Sequence, residues 1–262
     1  MAEPPIRFDD GAAYERMMGV WSQSAGRVFL DWLAPAKGLS WIDVGCGSGA
    51  FSELIFRSAA PAEIQGVDPS EGQLAFARTR PAAALAQFRQ GDAMALPFPD
   101  GRFDVAVMAL VIFFVPDAAK GVAEMARVTR PGGVVAAYAW DMPGGGFPLE
   151  PIQAEMRELG MRPPRPPSAA ASRLAAMQAL WSGAGLEAVE TRVIEVSRTF
   201  ADFAEFWSIS GTSASLRAVL AAMPAADRAE LEARVRRRLP ADAAGRITYG
   251  ARANAVKGRV PG

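Results

Sequence analysis

Apolar and polar residues between Ser40 and Ala139 follow a repeating pattern of short apolar runs separated by helical stretches. The short runs predict strands, and the stretches with apolar residues at i, i+3 and i+4 predict helices. The predicted strands are 41–44, 63–67, 85–89, 103–110 and 134–139, and the predicted helices are 50–58, 71–79 and 117–128. This alternation indicates a parallel sheet with helices on both of its faces.

The pattern changes after Trp140, where proline and glycine become frequent. Residues 141–171 are predicted to form a loop or lid with one short helix at 152–159. A helix at 172–181, a strand at 187–197, a helical stretch at 200–239 broken near Gly211 and Pro224, and a final strand at 247–256 are expected to follow. Arg130–Gly133, which contains a proline and two glycines, is predicted to be a turn.

Charge and residue usage narrow the kinds of chemistry that are open to the chain. Its 28 Lys and Arg residues balance 28 Asp and Glu residues, so no net positive field favours a nucleic-acid partner. The absence of histidine excludes imidazole zinc sites and Ser-His or Cys-His catalytic couples. Cys46 is the only cysteine, which suits a reducing compartment.

Two further features concern location. The start of the chain lacks the pattern of a signal peptide. The longest apolar run, 105–115, is shorter than the roughly 20 residues that cross a bilayer. We therefore expect a cytoplasmic protein without a membrane span.

Three alternating glycines link the first predicted strand to the first helix. Gly45, Gly47 and Gly49 allow a tight turn beside the unpaired N–H groups of a helix N-terminus. This geometry suits either a dinucleotide or S-adenosylmethionine. Dinucleotide folds favour a G-x-G-x-x-G spacing, whereas this loop has G-x-G-x-G. Asp43, two residues before the loop, suits an ammonium group better than a pyrophosphate.

Two more acidic residues follow predicted strands. Asp68 stands about 20 residues past the glycines, where a carboxylate can accept hydrogen bonds from ribose hydroxyls. Asp92 ends the third strand and could bind an adenine amino group, although an Asx turn explains it equally well. Together with the glycine loop, these residues favour a bound nucleoside.

Four ordered segments resemble the class I S-adenosylmethionine-dependent methyltransferases, particularly the group that includes ubiquinone/menaquinone-type and other small-molecule enzymes. These segments are residues 41–51, 66–70, 91–104 and 127–133. The resemblance implies an α/β, Rossmann-like, doubly wound sheet of seven strands in the order 3-2-1-4-5-7-6, with the last strand antiparallel. It also implies an S-adenosyl-L-methionine donor, S-adenosyl-L-homocysteine as product, and no metal.

On this basis we expect a single methyltransferase domain over residues 1–262. Its parts are a helical cap (1–39), an S-adenosylmethionine-binding core (40–139), lid or acceptor-side insertions (140–171 and 200–240), and the rest of the sheet (172–199 and 241–262). The resemblance implies that the loop backbone holds the methionine end, Asp68 the ribose and Asp92 the adenine. The full expected cofactor set is Asp43, Gly45, Cys46, Gly47, Gly49, Asp68, Pro69, Gln73, Asp92, Ala93, Ala109, Leu110, Tyr14 and Trp21.

The acceptor side is less well defined by the sequence. Phe113, Phe114 and Trp140 suggest a small, apolar acceptor, although packing at strand ends accounts for them equally well. No catalytic residue is assigned, because the four candidate bases, Tyr14, Tyr138, Asp141 and Glu150, carry no supporting pattern.

Three points remain open at this stage. One alternative is an NAD(P)-dependent oxidoreductase, and another is a non-catalytic S-adenosylmethionine-binding or regulatory protein. The oligomeric state is undetermined, with a homodimer as one option.

Overall fold

The computed structural model describes residues 15–213 and 216–262. Its sheet has the strand order β3-β2-β1-β4-β5-β7-β6. The strands are β1 Ser40–Val44, β2 Glu63–Asp68, β3 Ala86–Gln90, β4 Phe103–Ala109, β5 Thr129–Trp140, β6 Glu187–Phe200 and β7 Ile247–Arg259. Strands β1 to β5 pair in parallel, and β7 runs antiparallel to both β5 and β6. The expected order and the antiparallel last strand are confirmed.

Helices cover the sheet. They are α1 Val20–Leu33, α2 Ala50–Ser58, α3 Glu71–Ala77, α4 Ala118–Val128, α5 Glu150–Glu158, α6 Leu174–Gly183, α7 Phe203–Gly211, α8 Arg217–Ala222 and α9 Ala225–Arg238. The predicted helix at 50–58 is confirmed at both ends. The stretch predicted as helical over 200–239 divides into α7, α8 and α9, with breaks after Gly211 and at Pro224.

The central strands β1 and β4 are mostly apolar because both faces of the sheet are covered. Trp41, Ile42 and Val44 of β1 are fully buried, and Ala106 and Val107 of β4 are buried with them. Parallel strands with two covered faces are expected to lack the alternation of polar and apolar residues. By contrast, the edge strand β6 has many exposed residues along its length.

Side-chain caps fix where several helices start. Asp117 accepts a hydrogen bond from the backbone N–H of Lys120 at 3.0 Å and thereby caps α4. Asp202 caps α7 in the same way, through the N–H of Glu205 at 2.8 Å. Each cap satisfies a donor that the first helical turn leaves unpaired, so these acidic residues act locally.

The predicted turn at Arg130–Gly133 is wrong, because this segment belongs to β5. The pairing of β4 with β5 shifts register between Phe103 and Val105, so the segment forms a bulge within the strand. Gly132 adopts a φ of 72° and donates its N–H to the carbonyl oxygen of Val260 at 2.9 Å. Pairing with the distant end of the chain therefore keeps the segment in the sheet.

Among the described residues, the structure contains no helix with the length and apolar character of a membrane span.

Candidate functional site

A cavity of about 820 Å³ opens at the carboxyl ends of the central strands. It lies where the strand order reverses, between β1 and β4, which is the usual ligand position in open α/β sheets. Its wall comes from the ends of β1, β2 and β4, the loop after β3, and a distant proline-rich segment. The lining residues from predicted sites are Asp43, Gly45, Cys46, Gly47, Asp68, Pro69, Gln73, Asp92, Ala93, Ala109, Leu110 and Phe114.

Gly45 and Gly47 shape the loop after β1 in different ways. Gly45 has a φ of 74°, and a Cβ on it would lie 2.5 Å from Val111 Cγ1. Glycine is therefore required there both by the backbone and by close packing. Gly47 has a φ of 50°, and a Cβ on it would have only Gln73 Oε1 nearby, at 3.9 Å. Gly47 thus leaves its side of the loop open for a ligand.

Gly49 does not line the cavity. It caps α2 with a φ of 76°, and a Cβ on it would lie 3.0 Å from the Cβ of Ala77 on α3. Its small size allows two helices to approach each other. The structure therefore gives Gly49 a role in packing, and its expected cofactor role stays a prediction.

Asp43 is fully buried at the end of β1, next to the glycine loop. Ser52 Oγ donates a hydrogen bond to its Oδ2 at 2.7 Å. Its Oδ1 has no hydrogen-bond partner among the described residues. Burial raises the pKa of the Asp43 carboxyl to about 7, with the nearby charge of Asp68 adding to the effect. The site thus contains a carboxylate oxygen that a cationic donor can satisfy.

Asp68 joins the end of β2 to the glycine loop. Its Oδ2 accepts the N–H of Gly47 and its Oδ1 accepts the N–H of Ser70, each at 2.9 Å. Burial nevertheless raises the pKa of this carboxyl. Each carboxylate oxygen can accept a second hydrogen bond, so Asp68 can hold the loop and still bind hydroxyl groups.

The loop after β3 is held by turn bonds and by one arginine. Asp92 Oδ1 accepts the N–H of Met94 at 2.8 Å, so Asp92 is an Asx-turn residue while its side chain also lines the cavity. Arg127 at the end of α4 donates to the carbonyl oxygens of Leu96 at 3.1 Å and Phe98 at 2.8 Å. This gives a structural reason for the arginine at the start of the 127–133 segment.

Leu110 has an unusual backbone at the end of β4. Its φ of 63° is in the left-handed region, which is rare for a bulky residue. Its N–H donates to the carbonyl oxygen of Tyr138 at 2.7 Å, which holds that conformation. Strained residues of this kind cluster at functional sites, and Leu110 lines the cavity as expected.

Several lining residues were not among the predicted cofactor and acceptor residues. Ser22 of α1 lines the cavity, and its buried Oγ has no hydrogen-bond partner among the described residues. Tyr138, which the sequence analysis named only as a candidate base, lines the cavity from β5, and its ring centroid lies 5.6 Å from that of Phe51. Residues 164–167 reach the cavity from the segment after α5. No local pattern marks these residues, because tertiary folding alone brings them to the β1 loop.

Two predicted cofactor residues of the N-terminal segment do not contribute to the described wall. Trp21 is buried against Tyr249, with ring centroids 5.1 Å apart, and does not line the cavity. The adjacent Ser22 lines the cavity instead, and a cofactor role for Trp21 stays a prediction without support from the cavity lining. Tyr14 lies outside the described residues.

The three predicted acceptor residues separate in the structure. Phe114 lines the cavity, whereas Phe113 lies behind it with ring centroids 4.7 Å apart. Trp140 is buried in the core and also does not line the cavity. Both positions have one cause, because an apolar residue at a strand end can face either the core or the cavity, and an acceptor role for these two residues stays a prediction.

Two of the candidate bases are engaged elsewhere. Asp141 pairs with Arg252 at 2.8 Å, and Glu150 pairs with Arg157. Neither lines the cavity, so of the described candidates only Tyr138 does. Within residues 15–213 and 216–262, the structure shows no group of three or more Cys, Asp or Glu side chains able to hold a metal.

The fold and the site define a doubly wound α/β protein with a nucleoside-type pocket at its switch point. Residues 42–137 match a family model described as a methyltransferase domain. A demethylmenaquinone methyltransferase of Desulfitobacterium hafniense is 40% identical over 103 residues, which cover 37% of this chain and 41% of that protein. A fatty-acid O-methyltransferase of Mycolicibacterium smegmatis is 37% identical over 100 residues, covering 38% of this chain and 36% of that protein.

The structural comparison extends the match beyond this segment. The structure of the YcgJ protein from Bacillus subtilis aligns with a TM-score of 0.62 at 19% identity, covering 91% of this chain and 98% of that one. The chain spans about two fifths of the length of the two curated relatives. Residues 42–137 are thus similar in sequence to methyltransferase domains, and the chain shares the fold of the solved structure.

Proposed function

We propose that this chain binds S-adenosyl-L-methionine in the cavity and transfers its methyl group to a small, apolar molecule. The observation that carries the proposal is the position of Asp43, whose buried Oδ1 lacks a partner beside an open glycine loop. An ammonium group is the ligand chemistry that satisfies such an oxygen. S-adenosylmethionine has an ammonium on its amino-acid end, and a nicotinamide dinucleotide has none.

The other residues of the wall fit the remaining parts of the same ligand. Gly47 leaves the loop open to the amino-acid end, and Ser22 offers an unpaired hydroxyl nearby in the same cavity. Asp68 retains capacity for the ribose hydroxyls, and Asp92 with Ala93 forms the wall where adenine is expected. When bound, the ligand supplies a methyl carbon activated by positive sulfur. The chain holds the two reactants in line and excludes water, and orientation alone can lower the barrier by about 7–11 kcal/mol.

An apolar acceptor is supported by the wall near β4. Leu110, Val111, Phe114 and Val115 line this part of the cavity. The two curated relatives are named for a quinone and a fatty acid, both of which are largely apolar. We propose an apolar acceptor for the present chain as well. We also propose a cytoplasmic location, and a homodimer is the assembly to test.

The two competing functions differ in how well they fit the residues of the site. An NAD(P)-dependent oxidoreductase would leave the unpartnered oxygen of Asp43 unexplained, and the comparisons provide no support for it. A non-catalytic S-adenosylmethionine-binding protein would use the same cofactor residues. It differs only in that no acceptor is methylated.

Thermal unfolding with separate additions of S-adenosylmethionine, S-adenosylhomocysteine, NAD and NADP tests the cofactor. At 100-fold excess over its dissociation constant, a specific ligand stabilises the fold by about 2.7 kcal/mol. For a chain of this size we expect the transition to rise by roughly 5–10 °C with the two adenosyl sulfur compounds alone. A rise with NAD or NADP alone would contradict the proposal.

A further inference from the structure

A proline-rich segment, Pro163–Pro167, crosses to the cavity from the region after α5, and we call it the proline strap. Four of its five residues are prolines, which fix φ and favour a stiff, extended backbone. Pro164, Arg165, Pro166 and Pro167 all line the cavity. The strap is therefore a rigid part of the wall.

Ser168, immediately after the strap, ties it to the loop that follows β4. Its N–H donates to the carbonyl oxygen of Phe113 at 3.0 Å, and its Oγ donates to that of Val115 at 2.7 Å. The neighbouring Phe114 is one of the apolar lining residues. The strap is thus anchored beside the apolar lining residues that follow β4.

Arg165 is the cationic residue among the described residues that line this cavity, and the acidic ones are Asp43, Asp68 and Asp92. Its side chain is exposed and has no ion pair or hydrogen bond to any described residue. By contrast, Arg127, beside the loop after β3, is engaged with Glu124 and Asp100. An unengaged guanidinium on an apolar wall can bind a carboxylate through two parallel hydrogen bonds.

Among the described residues, the part of the wall formed by the strap and the loop after β4 lacks an acidic or imidazole side chain that could accept a proton from a neutral acceptor. The chain contains no histidine, and the three acids of the wall, Asp43, Asp68 and Asp92, follow β1, β2 and β3, where we expect the cofactor. Tyr138 is a phenol, which is a weak base in its neutral form. A carboxylate acceptor has no such requirement because it is already ionised at neutral pH.

From these three features we infer that the acceptor is an apolar carboxylic acid whose carboxylate is bound by Arg165. The inference rests on the proposed methyl transfer and narrows its substrate class. One carboxylate oxygen attacks the methyl carbon, a C–O bond forms as the C–S bond breaks, and the bonding pair goes to sulfur. An anion and a sulfonium cation become a neutral methyl ester and S-adenosylhomocysteine, so no proton has to move.

The test is a titration of the protein–S-adenosylhomocysteine complex by calorimetry with two acids, decanoate and 2-naphthoate. The neutral amides of both acids serve as probes of equal size. We expect the acids to bind at least roughly tenfold more tightly than their amides, as a charge-assisted hydrogen bond would produce. Arg165→Gln should abolish that difference, and Arg165→Lys should restore part of it.

Arg162→Gln is the matched control, since Arg162 is an exposed arginine near the same strap that does not line the cavity. It should leave the preference for acids unchanged. The inference is overturned if neither acid binds the complex, or if Arg165→Gln leaves the preference intact. It is also overturned if Arg165→Gln weakens S-adenosylhomocysteine itself, because Arg165 would then belong to the cofactor.

Failure of the proposed function gives a different result from failure of the inference on Arg165. If the proposed function is wrong, S-adenosylhomocysteine will not bind the unaltered protein even in the absence of an acid. Formation of the methyl esters from S-adenosylmethionine, followed by mass spectrometry, provides the second readout. Ester formation that depends on Arg165 would support the inference.

Discussion

Asp43 is a completely buried residue with a carboxyl group. Its burial affects the stability of the folded protein, and its carboxylate affects ligand binding. Ser52 supports only one of its two oxygens. Burial disfavours the charged form in the folded protein without ligand, which is why the pKa of Asp43 rises to about 7. A bound ammonium would reverse that preference.

The substitution Asp43→Asn should therefore separate stability from binding. A raised pKa means that the folded state holds a proton that the unfolded state releases between about pH 4 and pH 7. Stability from Asp43 is fully present below pH 4 and is lost as the pH rises to 7, by at most about 1.4 kcal/mol per pH unit. Urea unfolding over this range should show the wild type losing stability relative to Asp43→Asn.

In the same variant, calorimetry should show roughly tenfold weaker binding of S-adenosylhomocysteine, because the ammonium loses a charged acceptor. Parallel pH profiles for the two proteins would contradict the assignment of the raised pKa. Unchanged affinity would contradict the role of Asp43 toward the ligand.

Gly45 and Gly47 provide a second test at the scale of single residues. Gly45→Ala combines a left-handed φ with a Cβ 2.5 Å from the stiff side chain of Val111, so we expect a loss of about 2–4 kcal/mol in the free energy of unfolding. Gly47→Ala introduces only backbone strain, so we expect it to lower the free energy of unfolding by about 1–2 kcal/mol. Thermal unfolding without ligand measures this difference, and equal losses would contradict it.

The sequence predicted the chemistry of individual residues better than their orientation. Asp43, Asp68 and Asp92 all line the cavity, because a polar residue at a buried strand end has few alternatives. Trp140 was predicted at the acceptor site and is buried in the core. The sequence does not distinguish these positions, because an apolar side chain packs equally well in the core and in a ligand pocket.

At the scale of elements, Arg127 shows how a helix end can position a loop. It extends from α4 to two carbonyl oxygens of the loop after β3, those of Leu96 and Phe98. The same guanidinium pairs with Glu124 and Asp100, and these carboxylates raise the pKa of Arg127. The loop that carries Asp92 therefore depends on one side chain of a neighbouring helix.

Arg127→Lys keeps the charge and removes the planar fork. We expect a loss of about 1–2 kcal/mol in the free energy of unfolding and faster hydrogen exchange in residues 92–98. Arg130→Lys is the control, because Arg130 pairs with Asp104 and does not contact this loop. If both variants changed hydrogen exchange in residues 92–98 to the same degree, the effect on this loop would not be specific to Arg127.

Element types and most boundaries could be predicted because periodicity and caps are local. The helix predicted at 50–58 was confirmed, and the strand predicted at 63–67 extends by one residue to Asp68. The predicted turn at Arg130–Gly133 was wrong, because bonds to Val260 hold it in the sheet. The sequence of residues 130–133 alone gives no information about Val260 as a partner.

At the scale of the whole molecule, β7 joins the edge strand β6 to the other five strands of the sheet. It pairs with β5 from Val134 to Trp140 and with β6 from Glu187 to Phe200. Asn254 on this strand also donates a buried hydrogen bond to the carbonyl oxygen of Ser172 at 2.8 Å. Strand β7 therefore connects β6 to β5.

Deletion of residues 247–262 should prevent stable folding, because β5 and β6 would each lose a line of buried backbone bonds. Circular dichroism and gel filtration of the shortened chain measure this loss. Removing residues 261–262 alone is the control and should leave a folded protein. A cooperative thermal transition in the chain without β7 would contradict the prediction.

The sequence by itself determined the strand and helix pattern, the glycine loop and the acidic residues beside it, because each depends on neighbours close along the chain. Through family resemblance it also indicated the strand order that the structure confirms. Only the tertiary structure decided that Ser22, Tyr138 and Arg165 share one cavity wall. Ser22, on a helix, lies more than a hundred residues before the strand of Tyr138 and the strap of Arg165, and only packing against a common sheet brings such segments together.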